Sequence, residues 1–311
     1  MKNKTLYVIG NGFDQRHGLK SSYGEYHKYV KNNDPNNIGD FLNQYFILKV
    51  EKDKKSGDYL WSDFENDLAS FDAQQFYSNI DNVSEGFIKQ ETRQWSSYFG
   101  LFDEIVNETE KYKLEIKQSF WDWINEISET EIKRRNMDFD ENAIFLSFNY
   151  TSTLEKVYDI LNVFHIHGSV KGGNEEELVF GHGKEKAKGE IEELDENGES
   201  NRTPSFDAEA ASHSLFYQLQ KPVKNIINEN QSFLDSLKYV ERVVVLGHSL
   251  NEIDMPYICK IRNSISGGAT WTIVCYTDSD IQRAENVMEN IEVAKDSYRL
   301  LSWEDYEEGM F

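Results

Sequence analysis

The chain has 311 residues, 39% hydrophobic and 14% aromatic, enough apolar surface for one large domain or a core with an insertion, which excludes disorder over most of its length. Lys and Arg total 33 against 55 Asp and Glu, and the formal charge of −22 repels phosphate backbones, so non-specific nucleic-acid binding is not expected. Cys259 and Cys275 lie on apolar segments and suit buried thiols in a reducing compartment. With no apolar run of about 18 residues and no apolar leader after Met1, the expectation is a cytoplasmic protein with no membrane partner.

Leu6 to Ile9 is a short apolar run stopped by Gly10-Asn11-Gly12, the pattern of a buried parallel strand entering a turn. Over 100 residues of helical periodicity follow before the next such run. Within them Ser62 and Glu65 have capping-box spacing, and Phe120, Trp121, Ile124 and Ile127 recur as a helix-packing face. The basic cluster Lys133, Arg134 and Arg135 ends a predicted helix, where cations complement the dipole. Ala143 to Phe148, Val163 to Ile166, Val243 to Leu246, Trp271 to Tyr276 and Tyr298 to Leu301 are the remaining strand candidates. Strands of continuous apolar character alternating with helices predict an α/β fold. It is a Rossmann-like parallel sheet with helices on both faces and a large helical insertion after the first strand. The predicted division is a nucleotide-binding core of 1–24 and 140–311 and an insertion of 25–139. The charged segment 184–203, which has no apolar period, is expected to be a mobile loop within the core.

In open parallel sheets ligands bind beyond the carboxyl ends of the strands, so four loops are candidates. The first is Gly10-Asn11-Gly12-Phe13-Asp14, where glycines let backbone amides approach a diphosphate at a helix start, although Gln15 stands where a dinucleotide fingerprint has its third glycine. The second is Asn149-Tyr150-Thr151, between a strand end and a helix capped by Ser152 with Glu155. An Asn there serves a ligand or its own backbone. The third is His165-Ile166-His167-Gly168, where strand alternation puts both histidines on one face, as site residues or as satisfied core. The fourth is Gly247-His248-Ser249, followed by Asp254 as a helix cap and Pro256 in the first turn.

The order of these loops resembles the sirtuin-like superfamily: Gly10-Asn11-Gly12-Phe13-Asp14 with Gly18-Leu19, then Asn149, then His167-Gly168, then Gly247-His248-Ser249. The finer resemblance is to AbiH-type abortive-infection proteins of phage defence. It is carried by Gly-Asn-Gly-Phe-Asp with His17-Gly18-Leu19, Phe148-Asn149-Tyr150-Thr151, Ile166-His167-Gly168 and Phe180-Gly181-His182-Gly183. The resemblance implies a phage-defence role and a nucleotide site of the NAD type. Asp14 stands in place of the sirtuin Ser, Thr151 in place of its Asp, and the four-cysteine zinc module is missing, so deacetylation loses support.

What the resemblance leaves is cleavage of NAD to nicotinamide and ADP-ribose without a metal. Nicotinamide departs neutral, so the site needs no acid, only a base and a group that orients water or hydroxyls. His167 is the expected base and Asn149 the positioning group. Gly10, Asn11, Gly12 and Phe13 are expected at the diphosphate, with Gly247, His248 and Ser249 closing the other side. Asp14, His17 and Thr151 are expected nearby, Asp14 as ribose ligand or cap. The rival is a non-enzymatic NAD or ADP-ribose sensor, which needs the glycine loops but not His167 as a base. A nuclease would need a carboxylate cluster at metal-binding spacing and conflicts with the charge. Expected partners are NAD or a related nucleotide, a phage-derived trigger or a partner defence protein, and further copies of the chain.

Overall fold

The computed structural model describes residues 4–33, 36–87, 95–171, 173, 178–185 and 204–309. The strands in chain order are β1 (Lys4–Ile9), β2 (Val50–Lys52), β3 (Tyr59–Trp61), β4 (Ile144–Ser147), β5 (Val163–His165), β6 (Val240–Leu246), β7 (Thr270–Cys275) and β8 (Tyr298–Ser302). All six apolar runs read from the sequence are strands, and together they form one sheet in the order β5-β4-β1-β6-β7-β8. Every pair is parallel, with Ile9 opposite both Ser147 and Leu246, and Ser147 opposite His165. The chain steps outward from β1 to β4 and β5, then returns to β6 on the other side of β1. This is the doubly wound α/β, Rossmann-like arrangement, and its switch point lies between β1 and β6.

Both faces of the sheet are covered, which is why its central strands are apolar throughout rather than alternating. One face carries Leu6, Val8, Val243, Val245, Trp271 and Ile273, and the other Tyr7, Ile9, Phe145, Leu246 and Val274. Each such side chain taken fully out of water contributes roughly 1.5–3 kcal/mol. Because all six strands run the same way, their carboxyl ends share one edge. Gly10, Phe148, Ile166 and Gly247 follow directly from those ends.

By contact density the chain forms two compact units. The first comprises Met1–Glu25, Trp121–Val179 and Pro222–Phe311, and holds the sheet; the second comprises Tyr26–Phe120 and Phe180–Lys221. The second unit contains the antiparallel β2–β3 hairpin and a core of rings. Phe41 stacks on Tyr112 with centroids 3.5 Å apart, and Phe120 stacks on Phe180 at 4.3 Å. Lys221 Nζ pairs with Glu65 at 3.0 Å, both buried. His182 is fully buried there, donating from Nε2 to the Phe216 carbonyl at 3.0 Å and accepting the Lys184 amide at Nδ1. The segment Phe180–Gly183 is thereby anchored within its own unit. Of the charged stretch 184–203, residues 186–203 lie outside the described residues. No described helix is long and apolar enough to cross a membrane.

Helix starts depart from the sequence expectations where a side chain finds a stronger partner. Ser62 caps nothing: the helix Phe64–Asp67 begins at Asp63, the Ser62 hydroxyl bonds the Lys49 carbonyl, and Glu65 is drawn to Lys221. Ser152 stands at the N-cap of the helix Thr153–Tyr158 without a capping bond, and Glu155 turns to His165 instead. Asp254 precedes the helix Met255–Ser264, with Pro256 in its first turn, but makes no capping bond and faces His248. A complete capping box does form at Thr277 and Asp280, at the start of the helix Asp278–Asn290.

Candidate functional site

The glycine loops after β1 and β6 pack on each other. The Gly12 amide donates to the Gly247 carbonyl at 2.7 Å, and the Phe13 amide donates to the Gly10 carbonyl at 2.9 Å. A Cβ on Gly12 would lie 2.9 Å from Gly247 Cα, and one on Gly10 would overlap His248 Cα. Backbone therefore fills the space in front of these glycines, and two of the amides expected at a diphosphate donate within the chain. Phe13 is fully buried against His17, Tyr158 and Trp303. His17 is also fully buried, with Nδ1 donating to the Phe13 carbonyl and Nε2 meeting the Tyr158 hydroxyl, each at 2.7 Å. Burial lowers its pKa, which keeps the ring neutral. Asn11 and Ser249 are the exposed residues of the two loops; Asn11 Nδ2 holds the Ser21 carbonyl, and the Ser249 carbonyl accepts from Arg283.

On the other side of β1, Asp14, Ser147, Asn149, Thr151, Thr153, Glu155 and His165 line a narrow crevice whose walls leave no room for a bound molecule as they stand. Asp14 lies inside the helix Asn11–Arg16, neither capping it nor exposed. It accepts the hydroxyls of Thr151 at 2.5 Å and Thr153 at 2.6 Å. Asn149 ties three strand ends together. Its side-chain amide donates to the Gly10 carbonyl at 3.0 Å, its backbone amide bonds Ser147 Oγ, and its carbonyl accepts His165 Nδ1 at 2.9 Å.

Burial pushes the Asp14 carboxyl up to about 6, against the lowering effect of the Thr151, Thr153 and Asn149 hydrogen bonds. A carboxyl raised in the folded state from 3.8 to about 6 contributes stability that is full below pH 3.8 and lost as pH rises through about 6. The shift corresponds to about 3 kcal/mol at most. Asp14→Asn, with the threonine hydroxyls free to reorient toward its amide, is expected to melt no lower than the wild type at pH 8. It should also remove that part of the acid-side rise in melting temperature. Calorimetric scans from pH 4 to 8 check this, and identical pH profiles for the two proteins would show that Asp14 is not the titrating group.

Beyond β5 the chain turns at once, so His165 and His167 do not share the face of a strand. His165 ends β5, whereas His167 lies in the following turn, its carbonyl accepting the Val179 amide at 2.9 Å. His167 is 2% exposed and meets the rings of Phe148, Tyr150 and Tyr257 at 5.4, 6.3 and 5.5 Å. His248 packs on Phe148 at 4.4 Å. Its Nδ1 accepts the Leu250 amide at 3.0 Å, which leaves the ring hydrogen on Nε2, facing Asp254 Oδ2 at 3.4 Å. His248 thus holds its own loop to the start of the next helix.

Asn149, Thr151 and Asp14 are brought together at the carboxyl edge, while Gly10, Gly12, Gly247 and His248 form the interlocked pair of loops beside them. His165 was a candidate from its strand-end loop, whereas Ser147, Thr153 and Glu155 were not singled out as site residues from the sequence. The register that sets Ser147 opposite His165, and the Thr-Ser-Thr run facing a buried Asp, are long-range facts with only a weak local trace. A family model described as bacteriophage abortive infection AbiH matches residues 6–275. No curated protein matches the chain.

Proposed function

We propose, from the premise that the chain belongs to the AbiH family of bacteriophage abortive infection, that it is an abortive-infection effector which hydrolyses NAD to nicotinamide and ADP-ribose. What supports the reading is the placement of Asn149 and His167 just beyond adjacent strands, at the carboxyl edge of a doubly wound sheet, the edge where such folds take nucleotides. The resemblance of the loop order to that of sirtuin-like proteins supports the same chemistry. In this reading His167 accepts a proton from water or a ribose hydroxyl, and Asn149 holds the strand ends that frame the ribose.

As they stand, the walls of the Asp14 crevice are too close to hold any part of NAD, so in this reading they part when the dinucleotide binds. The diphosphate meets the outer edge of the glycine loops, at Asn11 and Ser249, rather than the amides of Gly12 and Phe13.

Purified protein incubated with NAD and no added metal should release nicotinamide, read by chromatography. His167→Ala and Asn149→Ala should each lower the rate at least about 100-fold. Because Asn149→Ala also orphans the Gly10 carbonyl, thermal melts must accompany both variants. Wild-type turnover in both would end the assignment.

A further inference from the structure

Three groups at the carboxyl ends of β4 and β5 form a chain with a fixed direction. The Asn149 carbonyl can only accept, so His165 Nδ1, 2.9 Å away, carries a hydrogen and donates it. The other ring nitrogen, Nε2, faces Glu155 Oε1 at 3.2 Å. Two acceptors do not hold each other at that distance without a proton between them, and carried on the ring it leaves Glu155 a carboxylate. Glu155 is therefore pinned through one oxygen. Its side chain is 7% exposed, and the other oxygen, Oε2, is buried with no hydrogen-bond partner among the described residues.

The hydroxyls that line the same crevice do not serve that oxygen, because Thr151 and Thr153 both donate to Asp14 and Ser147 Oγ bonds Asn149. A buried carboxylate oxygen without a donor is costly, and such atoms in folded proteins call for a reason. Here the atom belongs to a positioned carboxyl, at the strand edge where the fold places ligands.

We propose that Glu155 is a proton acceptor of the site, taking the hydrogen of the reacting hydroxyl on Oε2, with His165 as the residue that positions it. The proposal rests on the NAD-hydrolysis reading and names the group that activates water, which leaves His167 to the ribose hydroxyl. The O–H bond of water breaks and its proton passes to Glu155 while the oxygen bonds ribose C1′. The electron pair of the C1′–N bond goes to the ring nitrogen, and nicotinamide leaves neutral. Release of the proton to solvent restores the carboxylate, so NAD and water give nicotinamide, ADP-ribose and one proton.

The test is steady-state nicotinamide release by the wild type, Glu155→Gln, Glu155→Ala and His165→Ala, each with a thermal melt. Glu155→Gln should keep a cooperative melt and a KM within about threefold of the wild type, while kcat falls at least about 100-fold. Sodium azide, a nucleophile that needs no base, should restore nicotinamide release to Glu155→Ala, and free imidazole should restore part of the loss in His165→Ala. A purely structural role would respond to neither reagent. If Glu155→Gln turns over at the wild-type rate while His167→Ala is inactive, Glu155 is not the acceptor and NAD hydrolysis stands. A wild-type protein that releases no nicotinamide, purified or in lysates of phage-challenged cells, overturns both.

Discussion

Gly247→Val is expected to leave little folded protein. Gly247 has φ of +65°, a left-handed conformation that a β-branched residue resists, and its missing Cβ would overlap the Gly12 carbonyl carbon and the Phe13 amide nitrogen. Those obstacles are backbone atoms of the loop that follows the central strand, so they cannot move aside as a flexible side chain would. Displacing them also breaks the Gly12 amide bond to the Gly247 carbonyl and disturbs Phe13 in the core. The strain of the left-handed conformation is about 1–2 kcal/mol, and forced overpacking adds about 1–3 kcal/mol, together a large part of a domain's usual 5–15 kcal/mol. Gly18→Ala is the control, since Gly18 has φ of +90° and nothing within 4 Å of its missing Cβ, so it carries strain alone. Urea denaturation followed by circular dichroism should show the Gly18 variant folded and the Gly247 variant unfolded or molten. A Gly247 variant as stable as the Gly18 variant would mean the two loops do not interlock. Substitutions at Gly10, Gly12 or Gly247 consequently report on the fold before they report on a nucleotide.

Removal of residues 298–311 should abolish cooperative folding, although this segment lies beyond the residues that match the AbiH family model. It contains β8, which pairs along β7 from Trp271 opposite Tyr298 to Cys275 opposite Ser302. It also supplies Trp303 and Tyr306, 2% and 4% exposed, to the face of the sheet that holds Phe13. Glu307 receives Arg16 through Nε and Nη2, both at 2.8 Å, and so ties the closing helix to the one that carries Asp14. Each large buried ring is worth about 3–5 kcal/mol, so the two alone approach the whole stability of a domain. A truncated chain that stays soluble and melts cooperatively within a few degrees of the full one would refute this. Trp303→Ala should give an intermediate loss in the same scan.

The sheet was legible because a strand covered on both faces must be apolar along its whole length, as Leu6–Ile9 and Val243–Leu246 are. The β2–β3 hairpin escaped notice because Val50 and Tyr59 are exposed and the strands are three residues each, with no alternation to read. Helix caps misled where a remote partner won, as Lys221 did for Glu65 and His165 for Glu155. Among site residues, the strand-end positions of Gly10, Asn149 and Gly247 followed from local pattern. What each side chain touches did not, since Asp14 meets Thr151 and Gly12 meets Gly247 across more than a hundred residues of sequence. The glycines announced a close approach, and the approaching group is the chain itself.

The strand order carries a consequence for how the protein is made. β1 sits between β4 and β6, and its register with β6 joins residues roughly 240 positions apart, a separation that slows folding because the loop must close before contacts repay it. At a synthesis rate of about 5–20 residues per second, β1 leaves the ribosome about 12–50 seconds before β6 exists to pair with it. During that interval Leu-Tyr-Val-Ile is an unpaired apolar edge on a nascent chain, the kind of segment that chaperones bind and that aggregates without them. Yield of soluble protein should therefore respond to translation speed and chaperone supply more than to any substitution on the surface.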